Sequence, residues 1–276
     1  MTVVHALLLV VAGLVAGVIA GLVGVGGGII FTPVLFGVFG LLEVPPGVQT
    51  PLTVGTGLFC TGIAAGASAL HHFRRGAVRL DLAAGVGVAS AGAVGLVSGL
   101  VVTKPWYDAS LFQALFAFVL LVVVVRMVRG PTDVQGPSSE SAGGWGRWIL
   151  TGSAAGAVAS AVGVGGGVIL VPAYNRFLGR PLREAVGTSS ATILVISSVS
   201  AVAYGLLGAG ISGRPPLSLG YVDVGTGLLL AAPAVLGARA GVALAHRFDP
   251  RWLRWGFAAL GAIVAGRLLW NALGFG

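Results

Sequence analysis

Charged side chains are scarce in this sequence: Asp, Glu, Lys and Arg together make up 9% of its 276 residues. A soluble domain carries roughly 25% charged residues, because its surface must face water. The chain is instead 56% hydrophobic, with a mean hydropathy of +0.99. Apolar stretches of about 20 residues, long enough to cross a bilayer, recur from end to end. The sequence therefore predicts a multi-pass membrane protein whose main partner is the lipid bilayer.

Other absences exclude several classes of function. The single cysteine, Cys60, excludes an internal disulfide, and the four histidines are not spaced as metal ligands. There is no HExxH, GxSxG or ATP-binding loop, so we expect neither an enzyme nor an ATP-driven pump, and no cofactor or metal. The net charge is +8, but the basic residues form short clusters between apolar runs. That pattern is typical of membrane topology and not of nucleic-acid binding.

A long internal repeat organises the chain. The sequence reads AGLVGVGGGIIFTP around Gly24 and ASAVGVGGGVILVP around Gly163, so that Gly24 matches Gly163 and Pro33 matches Pro172. Further matches follow in the same order: Val54–Thr56 with Val186–Thr188, Asp81 with Asp223, and Arg126 with Arg267. Matching positions in the same order over such a length indicate a duplication.

Each repeat contains about five hydrophobic segments. They cover residues 3–23, 27–42, 51–70, 82–103 and 109–128 in the first repeat, and 148–163, 165–178, 186–209, 221–245 and 252–273 in the second. Residues 130–146 are polar and rich in Gly, Pro and Ser, which predicts a linker. The sequence thus predicts a first membrane repeat at 1–129, a cytoplasmic linker at 130–146 and a second membrane repeat at 147–276.

An odd number of segments per repeat predicts that the two repeats have opposite orientations in the membrane. Basic residues test this, because they concentrate in cytoplasmic loops. With both termini outside and one crossing per segment, the inside loops hold most of them: Arg74, Arg75, Arg79, Arg126, Arg129, Arg147, Arg176, Arg180, Arg183, Arg247, Arg251 and Arg254. The outside loops hold only Lys104 and Arg214. We therefore expect an all-α polytopic protein of the cytoplasmic membrane with inverted-topology repeats.

The duplicated GVGGG run is the strongest indication of a binding site. Consecutive glycines should break a helix, since each costs about 1 kcal/mol relative to alanine. Irregular backbone at membrane depth is tolerated only where protein buries it or it lines a cavity. Short, glycine-interrupted segments at matching places in two repeats are typical of transport sites, and a helix that begins at such a break favours an anion. The alternative is that the glycines only allow close helix packing.

Polar residues near the glycines extend this candidate substrate site. Ser and Thr hydroxyls and a Gln amide can donate to an oxyanion, although such side chains also often bond to their own helix. Arg239, inside a hydrophobic segment, could complement an anion or could reach back to the inner interface. The candidate residues are Gly24, Val25, Gly26, Gly27, Gly28, Gln49, Thr53, Thr56, Gly163, Val164, Gly165, Gly166, Gly167, Thr188, Ser189, Ser190 and Arg239.

The duplicated GVGGG followed by an apolar stretch and proline, the AVGTSS run and the LGARAG run resemble the TauE/SafE family of sulfite exporters. The resemblance covers essentially the whole chain and implies secondary transport of sulfite or another small sulfur-containing anion. In one respect the two repeats differ: Pro51 has no counterpart in the second repeat. The two half-sites are therefore not expected to be chemically equivalent.

The sequence thus predicts a secondary transporter, of the exporter type, that moves a small anion by alternating access. An anion channel that uses the same half-helix termini is the alternative. A homodimer is compatible with the sequence, which leaves the oligomeric state open.

Overall fold

The computed structural model describes residues 3–23, 26–128, 144–244 and 250–273, and this part of the chain is almost entirely helical. The helices of the first repeat are α1 (Val3–Val23), α2 (Gly28–Leu41), α3 (Pro46–Phe73), α4 (Leu80–Val97) and α5 (Ala109–Val128). Those of the second are α6 (Trp145–Val162), α7 (Gly167–Pro172), α8 (Leu182–Leu207), α9 (Val224–Leu244) and α10 (Pro250–Ala272). Short π-helical turns, Ser98–Val102 and Ala173–Phe177, continue α4 and α7.

The helices follow the predicted segments, and an all-α membrane protein is confirmed. Within the described residues, four helical spans are long and apolar enough to cross a bilayer: Pro46–Phe73, Leu80–Val102, Leu182–Leu207 and Val224–Leu244. A proline precedes the start of two helices: α3 begins after Pro45 and α8 after Pro181. The proline ring fixes φ near the helical value, so each of these prolines favours a helix start. Two antiparallel strands of two residues each, β1 (Ser218–Leu219) and β2 (Val222–Asp223), precede α9. They were not predicted.

The two repeats interlock through their first and fourth helices. Helix α1 packs on α9, and α6 packs on α4. Gly17 of α1 lies against the backbone of Ala234, and Gly156 of α6 lies against the backbone of Ser90. Since lipid provides no hydrophobic drive for helix association, this close approach of backbones is the main source of stability. Neither repeat therefore completes its packing without the other.

Helices α3 and α8 cross at the centre of the molecule and run antiparallel. Gly55 lies against Tyr204, Gly62 against Ser197 and Gly66 against Leu194, so residue numbers rise along one helix as they fall along the other. Most residues of α3 are buried. These two helices form the core on which the remaining helices pack.

Replacing Gly17 by leucine tests the interlocking contact. A Cβ at position 17 would lie 2.7 Å from Ala234 Cα, so α1 and α9 must separate. Overpacking of this kind costs about 1–3 kcal/mol, and we expect a lower apparent Tm of the detergent-solubilised protein. Gly95→Leu in α4 is the matched control, because nothing lies within 4 Å of a Cβ there. Equal melting temperatures of the two variants would contradict this view of the interface.

Candidate functional site

Both GVGGG runs interrupt a helix, as predicted. Helix α1 ends at Val23 and α2 begins at Gly28, while α6 ends at Val162 and α7 begins at Gly167. Gly24 and Val25 lie outside the described residues, so the first break is described from Gly26 onward. We call Gly26–Gly28 the first elbow and Gly163–Gly167 the second elbow.

Glycine is required in the elbows by the backbone conformation. Gly26 and Gly27 have φ of +84° and +77°, and Gly165 and Gly166 have φ of +82° and +79°. Side chains other than glycine strain this left-handed region, and two such residues in succession cannot continue a right-handed helix. The glycine runs therefore determine where α2 and α7 begin.

Each elbow turns back beside the helix that precedes it. A Cβ on Gly27 would lie 3.1 Å from the carbonyl oxygen of Ala16, and a Cβ on Gly166 would lie 2.8 Å from that of Ala155. Ala16 and Ala155 are equivalent in the register that matches Gly24 with Gly163. The two elbows thus have the same local fold, and protein atoms instead of lipid surround their irregular backbone.

The two elbows meet each other between α3 and α8. A Cβ on Gly26 would lie 2.9 Å from Thr61 Cγ2 and 3.1 Å from Ile193 Cγ2. A Cβ on Gly165 would lie 2.6 Å and 3.0 Å from the same two atoms. In addition, the Thr32 hydroxyl in α2 donates a 2.9 Å hydrogen bond to the carbonyl oxygen of Gly163. One compact cluster therefore joins the two GVGGG runs, which are far apart in the sequence.

The helices that start at the elbows are short. Helix α2 has 14 residues, or about 21 Å of helix. Helix α7 and its π-helical turn cover residues 167–177, or about 16 Å. Neither reaches across a hydrocarbon core of about 30 Å. The amides of Gly28 and Ile29, in the first turn of α2, precede the intrahelical hydrogen bonds and can donate to a ligand.

Two predicted hydroxyls have structural partners. The Thr56 hydroxyl accepts a 2.9 Å hydrogen bond from the backbone amide of Asp223, directly before α9. The Thr188 hydroxyl accepts a 3.0 Å hydrogen bond from the amide of Arg79, directly before α4. These equivalent residues hold the starts of equivalent helices. Their positions explain the conspicuous VGT matches without requiring a contact with substrate.

The other predicted polar residues differ in whether their side chains make hydrogen bonds. The Gln49 amide donates to the carbonyl oxygen of Phe36 and lies 12 residues, or about 18 Å, along α3 from Thr61. The Ser190 hydroxyl lies 3.2 Å from that of Ser68 and donates to its own helix. Ser189 is buried and has an interaction of its own. Of the polar residues that the sequence predicted for the site, only Thr53 is buried and has no hydrogen-bond partner among the described residues.

Arg239 lies outside the elbow cluster. Its side chain is exposed on α9, whereas the face of α9 that packs on α1 contains the buried residues Gly237, Ala238 and Gly241. A long charged side chain on the outer face can reach the membrane interface. The substrate-binding role considered for Arg239 therefore has no support from its position, and the interface role fits it.

Thr61 and Ser197, which the sequence reasoning missed, lie at the elbows. Both are completely buried, and neither hydroxyl has a hydrogen-bond partner in the part of the chain that the structure describes. Thr61 follows Thr56 in α3, and Ser197 follows Thr192 in α8. In the sequence they look like any other Ser or Thr residue in an apolar helix, so nothing there marks them as site residues. They differ from Thr32, which also lies at an elbow, because the Thr32 hydroxyl is already bonded to the second elbow.

Comparison with known proteins identifies the family. The family model described as "Sulfite exporter TauE/SafE" matches residues 9–268. The chain belongs to this family. It is a multi-pass membrane transporter and not an enzyme. The match includes both elbows and both central helices, so the cluster described above lies within the matched region.

Two relatives of this TauE/SafE protein are similar over nearly their full length. A probable membrane transporter protein of Methanocaldococcus jannaschii is 26% identical over 249 residues, which cover 90% of this chain and 89% of the relative. A probable membrane transporter protein of Haemophilus influenzae is 26% identical over 264 residues, which cover 94% and 96%. No solved structure matches the chain significantly.

Replacing Thr32 by valine tests the link between the elbows. Valine keeps the shape of the side chain but leaves the buried carbonyl of Gly163 without its donor. Loss of a buried hydrogen bond costs about 1–3 kcal/mol, so we expect a lower apparent Tm in detergent. The control is Thr103→Val, which removes a hydroxyl that bonds only to Gly99 of the preceding turn. A Thr32→Val variant as stable as this control would argue against the link.

Proposed function

We propose that this transporter moves a small sulfur-containing anion, such as sulfite or an organosulfonate, across the cytoplasmic membrane by alternating access. The observation that carries the proposal is the meeting of the two glycine elbows at one pair of side chains, Thr61 and Ile193. A transport site near the midplane is expected where broken helices of two repeats come together. The elbows supply such a place.

The chemistry of the elbows supports an anion as the substrate. First-turn amides and the positive end of a helix dipole both favour negative charge. Helix α2 provides such amides at Gly28 and Ile29, next to the second elbow. We therefore propose Gly26–Gly28 and Gly163–Gly167 as the substrate-binding backbone, with Gly24 and Val25 included by register. The assignment to a sulfur-containing anion rests on the family description alone.

The packing supports opposite orientations of the two repeats. Helices α3 and α8 are equivalent by sequence, and they cross in antiparallel directions. Two equivalent spans that run antiparallel are expected when the repeats have inverted topology. Together with the distribution of basic residues, this favours both termini outside, the linker at 130–146 in the cytoplasm, and repeats at 1–129 and 147–276.

The burial of the elbows supports alternating access over an open channel. Thr61, Ile193 and Ser197 all have 0% exposed surface. The atoms that line an open pore remain accessible to water, whereas a carrier encloses its site in at least part of its cycle. In such a carrier the interlocked helices would rearrange around the elbows and open the site to each side in turn.

Uptake by reconstituted vesicles tests the substrate class and the mechanism. We expect saturable uptake of sulfite or methanesulfonate, and we expect unlabelled anion trapped inside the vesicles to accelerate it. Counterflow of this kind requires a carrier, so saturable uptake without it would favour the channel. Vesicles that take up neither anion would overturn the proposed substrate class.

Replacing Gly165 by leucine tests the site directly. Gly165 has a φ of +82°, and a Cβ there would lie 2.6 Å from Thr61 Cγ2. We therefore expect uptake of sulfite and methanesulfonate to fall at least tenfold while the protein still inserts into the membrane. Gly37→Leu in α2 is the control, because nothing lies within 4 Å of a Cβ at that position. Normal uptake by Gly165→Leu would show that the elbow does not bind substrate.

A further inference from the structure

The centre of the site contains residues that are equivalent in the repeat but chemically different. The register that matches Val54–Thr56 with Val186–Thr188 pairs Thr61 of α3 with Ile193 of α8. Both side chains contact Gly26 and Gly165. Both contacts are made by Cγ2 methyl groups, and Thr61 differs from Ile193 in that it also carries a hydroxyl, which lies beside Gly28 of the first elbow.

The hydroxyl of Thr61 is buried and has no hydrogen-bond partner among the described residues. Its Oγ1 lies 2.8 Å from the position that a Cβ on Gly28 would take, beside the first turn of α2. Threonine and serine in membrane helices usually donate to a carbonyl of the preceding turn, as Ser98 and Thr192 do here. Thr61 makes no such bond within the described residues. A buried polar group in this state is costly, so it calls for a ligand.

Ser197 provides a second hydroxyl of the same kind. It is completely buried, its Oγ has no partner in the described part of the chain, and it lies 3.7 Å from the position of a Cβ on Gly165. Its equivalent in the first repeat is Ala65. Each central helix therefore contributes one hydroxyl and one apolar side chain, in opposite order.

Because α3 and α8 cross in antiparallel directions, these four residues lie at two different levels along the helices. Gly62 lies against Ser197, so Thr61 and Ser197 lie at one level of the crossing. Gly66 lies against Leu194, so Ala65 and Ile193 lie at the next level. Four residues of helix separate the levels by about 6 Å. The site consequently has a hydroxyl end and an apolar end.

We propose that Thr61 and Ser197 are the side chains that bind the oxygen atoms of the substrate, and that Ile193 and Ala65 accommodate an apolar substituent. The inference rests on the proposed transport site and specifies its ligand: an oxyanion with its oxygens at one end and a hydrocarbon group at the other. Methanesulfonate has this form, and sulfite lacks the hydrocarbon group. The hydroxyls bind without adding a buried charge.

Three variants test the hydroxyl end in reconstituted vesicles. Thr61→Val and Ser197→Ala each remove one donor to a charged group, which corresponds to a loss of about tenfold or more in affinity. We expect the KM for methanesulfonate to rise by about that factor in each variant, with little change in the maximal rate. Thr50→Val is the matched control, because Thr50 is also buried and without a hydrogen-bond partner among the described residues, but it lies eleven residues from Thr61, about 16 Å along α3. It should leave the KM unchanged.

Ile193→Thr tests the apolar end. The substitution places a hydroxyl where the second repeat now has a hydrocarbon side chain. Both central helices then carry threonine at the equivalent positions 61 and 193. Competition between methanesulfonate and sulfite for uptake measures the result. We expect the wild-type protein to prefer methanesulfonate and Ile193→Thr to lose that preference several-fold.

The outcomes separate this inference from the proposed function. If Gly165→Leu abolishes uptake but Thr61→Val and Ser197→Ala behave like Thr50→Val, the hydroxyls do not bind substrate and only the inference fails. A wild-type preference for sulfite that Ile193→Thr leaves unchanged would overturn the apolar end. If Gly165→Leu transports normally, the site itself fails, and the inference fails with it.

Discussion

The need to satisfy every main-chain polar group inside a bilayer constrains this structure more than any other requirement. Two glycine runs break helices that would otherwise cross the membrane, and the broken backbone needs protein around it. Both breaks lie against α3 and α8, where Thr61 and Ile193 contact them. The central crossing therefore serves two purposes at once: it buries irregular backbone, and it brings the starts of two half-helices together.

The interlocking of the repeats follows from the same constraint. Without water to drive association, helices hold together through close backbone contact. Gly17 on Ala234 and Gly156 on Ser90 join the first helix of one repeat to the fourth helix of the other. Because the elbows are also joined, by the bond from Thr32 to Gly163, a movement of one repeat relative to the other acts on both elbows. This coupling suits a carrier whose site must change its exposure.

Much of the fold was predictable, because composition and local conformational preference determine it. Apolar length predicts the spans, and consecutive glycines predict the breaks, since glycine adopts without strain the positive φ seen at Gly165 and Gly166. The polar members of the site were less predictable. Thr56 and Thr188 stand out in the repeat, yet their hydroxyls bind backbone amides that hold α9 and α4. Arg239 stands out by its charge, yet it is exposed.

The sequence by itself determined that this is a duplicated membrane transporter with a glycine break in each repeat, because those properties depend on hydrophobic length and on backbone freedom within a few residues. Only the tertiary structure decided which hydroxyls lie at the breaks. Thr61 and Ser197 are ordinary residues of apolar helices until the antiparallel crossing of α3 and α8 places them beside Gly28 and Gly165. Their lack of partners among the described residues depends on the whole arrangement of neighbouring helices, and such a property cannot be deduced from local sequence.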